Sequence, residues 1–549
     1  MLSILAATVA LPALAFQERW VYIQTNLAVG ANVDRLLPML DRAKKAGYNG
    51  IVLTDSKFAI LEKMTPSYFE NAAKLAAHAK ALGLTITPVV AEMGWSSGLL
   101  SHNVNLIEGQ PAKKVPFEVR GGTLQPVAEV VHPNPGLENF NGDKVDDAAY
   151  QDGPGVSSFS DSAVVHSGSR SLRYENFRAD SGSGNARLMI PLKVRPYQPY
   201  RVSFWLKTEG VEGAESNLRC FAMGSDGKIL SFMDVGAAPT QAWKQHTIIF
   251  NSQASDKVTL YTGLWSGTKG KFWLDDFRVE EAGFLNVLRR PKSLPKIELA
   301  NGTVLTEGKD YEVVEDPNLG QKPWAGEYTF DQAAPKIKVV PGRLSEGTKV
   351  LATYVHAVAT ETGKTAICPS EPQTLAILAD QFQRVSTLWS ASGMFFGHDE
   401  IRVANQCPTC TARGLSPGGL YAADLRQCQN LGRGVLRDGN MYVWSDMFDP
   451  FHNAKDDYYL SNGTWKESWK GLSPSTVVVN WNSGSARDSL QFFSALGCRQ
   501  IIAGYYDAPV SEFQKWKTAM KDVKGVTGVM YTTWIGDYSK LEEFAKAAF

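Results

Sequence analysis

Residues 16–112 and 359–549 share one rhythm, and the residues between them break it. In the first part WVYIQTNL (20–27) reads as a strand, and apolar residues at helical spacing follow from about 34 to 46, with Gly47 as the stop. NGIVLTDS is the next strand and carries Asp55 at its C-terminal end. Ser67 and Glu70 stand at capping-box spacing before a second helix that closes at Gly83, and LTITPVVAE ends a third strand at Glu92. Strand, helix and strand joined by short loops form the pattern of a parallel α/β sheet. In the second part EPQTLAILADQFQRVSTLW reads as a helix and GMFFGHDE as a strand. MYVWSDMF, STVVVNWN, QIIAGYYD and VTGVMYTTW read as four more strands, with helical segments such as SARDSLQFFSALG between several of them. Three strands and five make eight, and the two parts together come close to the ~250 residues of a (β/α)8 TIM barrel. The count favours that barrel over a doubly wound sheet, so the fold expected is one TIM barrel interrupted after strand 3.

The interruption has its own pattern. From 113 to 283 no amphipathic helix is legible, and YRVSFWLKT, WKQHTIIF, KVTLYTGLW and KFWLDDFRVEE alternate between turn-rich spacers. That is the signature of an antiparallel β-sandwich, a jelly-roll module. Residues 284–358 read as a small all-β domain, and the barrel resumes at 359. At the other end, residues 1–15 form an apolar run closing on Ala13-Leu14-Ala15. This reads as a signal peptide rather than a buried helix, and it is too short to span a bilayer, so a secreted or periplasmic protein is expected.

Lys plus Arg and Asp plus Glu number 56 each, which argues against a nucleic-acid or polybasic membrane partner. Six cysteines are too few for a disulfide framework in a chain this long. Cys368, Cys407, Cys410 and Cys428 cluster loosely; Cys407 and Cys410, in CPTC, have zinc-ligand spacing, with Cys428 as a candidate third ligand, and a disulfide between two of these three is the competing reading. Neither makes the cysteines catalytic, and catalysis is expected to need no cofactor.

In such a barrel the active site lies at the C-terminal strand ends. Those ends hold Asp55, Glu92, Asp399, Glu400, Trp444, Asp446, Trp481, Tyr505, Tyr506 and Trp534. Carboxylates beside aromatic faces are what glycoside cleavage requires: rings hold the sugar, and an acid of raised pKa protonates the leaving oxygen. Neighbours on a strand point to opposite faces, so Asp399 and Glu400 share a substrate only if the strand is ending or bulging there. Adjacent carboxylates also tend to separate in pKa, which suits one acid and one anion.

GMFFGHDE resembles the strand-four motif H-x-G-G-D-E of family 20 β-N-acetylhexosaminidases, with family 123 hexosaminidases as relatives. CPSEP and GYYD are similar to segments that precede and follow that motif in the family. The resemblance implies retaining, substrate-assisted hydrolysis of terminal β-GalNAc or β-GlcNAc, with a lean to GalNAc, through an oxazolinium intermediate. Glu400 would be the acid and then the base, while Asp399 would hold the acetamido N–H. Tyr505 or Tyr506 would donate to the acetamido oxygen, and Trp444, Trp481 and Trp534 would line its pocket. His398 stands where the family has its second glycine, and QTNL lacks the family's sugar-holding arginine. Asp55, Glu92 and Asp446 are further candidates for sugar contacts. The insert resembles family 4/9 carbohydrate-binding modules, in which Glu138 and Asp276 would help hold a structural calcium. Two other functions fit the residues: a retaining glycosidase pairing Glu400 with Glu92 or Asp446 as protein nucleophile, or a non-catalytic glycan-binding protein.

Overall fold

The computed structural model describes residues 16–358, 364–436 and 439–549, so the expected signal peptide lies outside it. Eight parallel strands close into a barrel in chain order. They are β1 (Glu18–Gln24), β2 (Gly50–Thr54), β3 (Thr85–Val90), β4 (Gly393–Phe396), β5 (Asn440–Trp444), β6 (Thr476–Asn480), β7 (Arg499–Tyr506) and β8 (Val526–Thr532). β2, β4 and β6 are buried at every position, as expected of short apolar strands covered on both faces. Inside, aromatic residues such as Trp20, Tyr22, Phe395, Tyr442 and Trp444 pack with valines.

Outside, helices cover most of the strands. α1 (Gly30–Lys45) buries Val33, Leu36, Leu40 and Ala43 along one face, and α2 (Pro66–Ala81) buries Tyr68, Ala72, Leu75 and Ala79. α2 begins at Pro66, whose missing N–H is harmless in a first turn, and the Ser67 hydroxyl bonds to Thr65 instead of capping. The longer helices that follow are α3 (Pro372–Trp389), α4 (Pro417–Val435), α5 (Ala486–Ala495), α6 (Phe513–Ala519) and α7 (Leu541–Ala548).

The expected (β/α)8 TIM barrel is corrected here. The passage from β5 to β6 holds two 3-10 turns, Asp446–Phe448 and Ser468–Gly471, and a short strand, Leu460–Ser461, but no α-helix. Its sequence explains this: Pro450, Gly463, Gly471 and Pro474 stand among Asp, Asn and Ser residues that favour turns over helix. Beyond the barrel, three five-stranded antiparallel sheets hold most of the chain's other strands, so the fold is a parallel barrel within a mixed α/β chain of low helix content.

Two of those sheets face each other as a sandwich around one apolar core. The third runs Lys296–Leu299, Lys349–Ala357, Gly109–Arg120, Thr123–Pro126 and Ile337–Lys338. The Gly109–Arg120 strand therefore belongs to the small domain and not to the sandwich that was expected to begin at 113, because its partner is Lys349–Ala357. Chain leaving and chain returning lie side by side at the barrel, where Ile107 bridges Ile367 and Gly109 faces Ala357. The sandwich also touches the barrel loops, since Lys228 donates to the carbonyl of Ser461 at 2.7 Å.

Candidate active site

A cavity of about 640 Å³ opens at the C-terminal ends of all eight strands, from Gln24 on β1 to Trp534 just past β8. Asp399 and Glu400 both line it, and the local backbone explains how two neighbours can. β4 stops at Phe396, so strand alternation no longer applies three residues later. Glu400 then takes a left-handed backbone, φ 49°. The turn is clamped to the exit of β3: the Gly397 N–H donates to Val90 and its carbonyl accepts from Met93, at 2.9 and 2.6 Å. Gly94 completes the clamp, because a Cβ there would overlap the carbonyl oxygen of Asp399.

The two acids sit in opposite electrostatic settings. Burial pushes Glu400 up, but Lys364 and Arg402, each 3.0 Å from its carboxylate, outweigh that and leave it below its ordinary value. Both cations are nine-tenths sheltered, so solvent screens them little. Asp399 is raised well above its ordinary value, first by burial and then by the charges of Asp446, Glu400 and Glu92. Burial likewise lifts Glu92 to about 7, against the hydrogen bond it accepts from Thr54 at 3.1 Å. The cavity thus sets Glu400, lowered by its two cations, beside Asp399 and Glu92, both raised by burial. The resemblance implies the reverse assignment, with the proton on Glu400.

The remaining candidates separate clearly. Trp444, Trp481, Trp534 and Tyr506 line the cavity, with Tyr506 stacked on Trp481 at a centroid distance of 5.6 Å. Tyr505 does not: β7 slips register between Ala503 and Tyr505, and the ring packs outward on Tyr531 and Phe544. Asp446 is fully buried beneath the wall, where it accepts from the Glu400 N–H at 2.9 Å and from Asn453. It orients the turn and is not among the cavity-lining residues. Asp55 lines the cavity, but its oxygens accept from the N–H groups of Leu27 and Lys57 and from the Tyr68 hydroxyl. His398 is wholly buried and bonds Asp424 of α4 at 2.9 Å, so it anchors the turn from behind and is no sugar ligand.

Sequence reasoning missed Lys364, Arg402, Tyr22 and Trp95. Arg402 lies two residues past Glu400, and Trp95 follows Glu92 in MGWSSG, so proximity to the acids was the available signal. Lys364 had none. Among the cysteines the structure joins Cys407 and Cys410 to Cys368 and Glu108, whereas Cys428 lies with His398 and Asp424, which corrects the expected trio. Glu138 and Asp276 are engaged with separate residues of one loop: Glu138 takes the N–H and hydroxyl of Ser169, and Asp276 takes His166 and Ser167. Neither joins a cluster of three metal-binding groups among the described residues.

No protein-family model matches the sequence, and no curated protein matches it. Among solved structures the chain is similar to a rhamnosidase from Novosphingobium sp. PP1Y, with 12% identity, 97% of this chain and 58% of that chain covered, and a TM-score of 0.36. It is also similar to TmCBM61 in complex with beta-1,4-galactotriose, at 18% identity over 27% of this chain and 96% of that one, with a TM-score of 0.19. A CBM4 structure matches at 12% identity over 28% and 99%, with a TM-score of 0.20. At such scores these likenesses carry no weight for activity, and function is read from the site.

Proposed function

We propose that this chain is a glycoside hydrolase that cleaves a terminal β-linked N-acetylhexosamine at the barrel mouth. One observation carries the reading: two carboxyl groups, Asp399 pushed up by burial and Glu400 drawn down by Lys364 and Arg402, meet in an aromatic-walled cavity of ligand size. The acetamido group is favoured by what surrounds Asp399. Its methyl would meet the apolar wall of Trp444 and Trp534, its N–H the Asp399 carboxyl, and its carbonyl the Tyr506 hydroxyl. Trp534 packs edge-on against the Tyr506 ring at 5.8 Å, which holds that tyrosine at the cavity wall. The acetamido oxygen would attack the anomeric carbon as the bond to the leaving oxygen breaks and that oxygen takes a proton. Water would then open the oxazolinium with retention. For Glu400 to supply the first proton, the bound sugar must weaken its contact with Lys364; in the free site Glu400 is poised as the base of the second step.

A second reading rests on Glu92, whose pKa of about 7 makes it a ready acid at neutral pH in the same cavity as the ionised Glu400. That pair would hydrolyse sugars lacking the acetamido group. Chromogenic β-GalNAc, β-GlcNAc, β-Gal and β-Glc substrates assayed in parallel decide between them. Turnover confined to the first two supports the hexosaminidase. Turnover confined to the last two, lost in Glu92→Gln, selects the second reading. No turnover on any glycoside, with glycan still bound, would sink both.

A further inference from the structure

Away from the cavity, four metal-binding side chains from distant parts of the chain meet in a fully buried cluster. Cys368 Sγ lies 3.6 Å from Cys407 Sγ and 3.3 Å from Cys410 Sγ. Glu108 Oε2 lies 3.3 Å from Cys410 Sγ, and all four ligand atoms fall within 4.8 Å of one another. Glu108 is oriented by its other oxygen, which accepts from the N–H groups of Gln406 and Cys407, both at 2.8 Å. Four zinc bonds at the tetrahedral angle, with Zn–S of about 2.3 Å, separate sulfurs by about 3.8 Å, close to the spacing here. A disulfide would join two of the sulfurs and leave a third thiol and a carboxylate buried together, which is costly for the carboxylate.

Charge points the same way. Three thiolates and a carboxylate around a dication leave a net charge of minus two. Arg290 is buried against the cluster, with Nη1 3.4 Å from Cys407 Sγ. Its other nitrogens donate to the carbonyls of Asn105 and Ile107. A cation placed there offsets part of the excess in a site closed to water.

We propose that Glu108, Cys368, Cys407 and Cys410 form a structural zinc site. Glu108 lies where the chain leaves the barrel and Cys368 where it returns, while Cys407 and Cys410 follow the turn that carries Asp399 and Glu400. Zinc therefore staples both ends of the insertion to the segment bearing the two acids. Soft thiolates and a small tetrahedral cage select zinc over calcium or magnesium.

Elemental analysis of the purified full chain, exchanged into metal-free buffer, is expected to find about one zinc per chain. Cys368→Ser and Cys410→Ser should each lose it, and Cys498→Ser should keep it. Thiol titration in denaturant with chelator and no reductant should count all six cysteines as free. Metal-free protein with four reactive thiols would overturn the proposal in favour of a disulfide, and stoichiometric iron would overturn the zinc assignment. Should the variants fail to fold, wild type produced with cobalt supplies the test. Thiolate-to-cobalt charge-transfer absorption supports the cage, and its absence from cobalt-loaded protein refutes it.

Discussion

Two pairs of adjacent acids in this molecule look alike in sequence and do different work. Asp275 and Asp276 lie within the sandwich strand Lys271–Glu281, and Asp399 and Glu400 lie just past the end of a barrel strand; in each pair the second acid has a left-handed backbone, φ 48° at Asp276 and 49° at Glu400. In the sandwich pair both carboxylates are occupied by their own fold. Asp275 accepts from the N–H groups of His166, Ser167 and Asp276, and Asp276 accepts from the His166 ring and the Ser167 hydroxyl. His166 in turn stacks on Trp205 at 3.8 Å, so the acids tie down a loop. At the barrel mouth the acids face a cavity, and buried lysine and arginine set their charges apart. What neighbours donate, and not adjacency, separates a structural pair from a reactive one.

Breaking the barrel pair should give the largest effect. Glu400→Gln and Asp399→Asn are each expected to lower kcat/KM on the preferred chromogenic glycoside by about 10²–10⁴-fold, the range of a lost acid–base group, with the circular dichroism spectrum unchanged. If both variants kept wild-type rates, the mouth pair would be no more reactive than the sandwich pair. Tyr506→Phe removes one hydroxyl from the wall and should cost up to about tenfold, as one hydrogen bond is worth about 1 kcal/mol. Tyr505→Phe, facing the helices, should leave the rate alone. Asp275→Ala should do the opposite of the mouth variants: it strands buried N–H groups and lowers stability by about 1–3 kcal/mol, seen as a lower Tm, without changing kcat.

The smallest effect is a pH dependence. Glu92 is raised from 4.5 to about 7, so it binds its proton more tightly when folded. Its contribution to stability is complete below pH 4.5 and is lost as pH rises through about 7. Glu92→Gln cannot titrate, so its Tm relative to wild type should climb between pH 5 and pH 8. A gap that stays level across that range would mean Glu92 is not held protonated.

How far this could be read in advance follows from the range of each interaction. Local patterns were legible: the strand segments, the apolar faces of α1 and α2, and the gathering of Asp399, Glu400 and the tryptophans at strand ends. Interactions between distant residues were not. Lys364 lies far in sequence from both acids, yet with Arg402 it holds Glu400 below its ordinary value while burial raises Asp399. Of the four loosely clustered cysteines it is Cys368, and not Cys428, that joins Cys407 and Cys410, because the returning chain brings it there. The Gly109–Arg120 strand alternates like its sandwich neighbours, and only its pairing with Lys349–Ala357 assigns it to the small sheet. Tyr505 and Tyr506 differ by one residue, and a register slip in β7 decides between them. The missing helix between β5 and β6 was the exception, since its prolines and glycines were visible.

The facing of Gly109 and Ala357 bears on how the barrel assembles. β3 pairs with β4, whose first residue is synthesised only after the whole insertion. Left to a flexible chain, that closure would be a long-range search and a slow one. A folded insert whose two ends are neighbouring strands, ~4.8 Å apart, turns the search into a local event. To the barrel, the sandwich and the small sheet together behave like a tight turn, so the insert sets the order in which the two halves find each other.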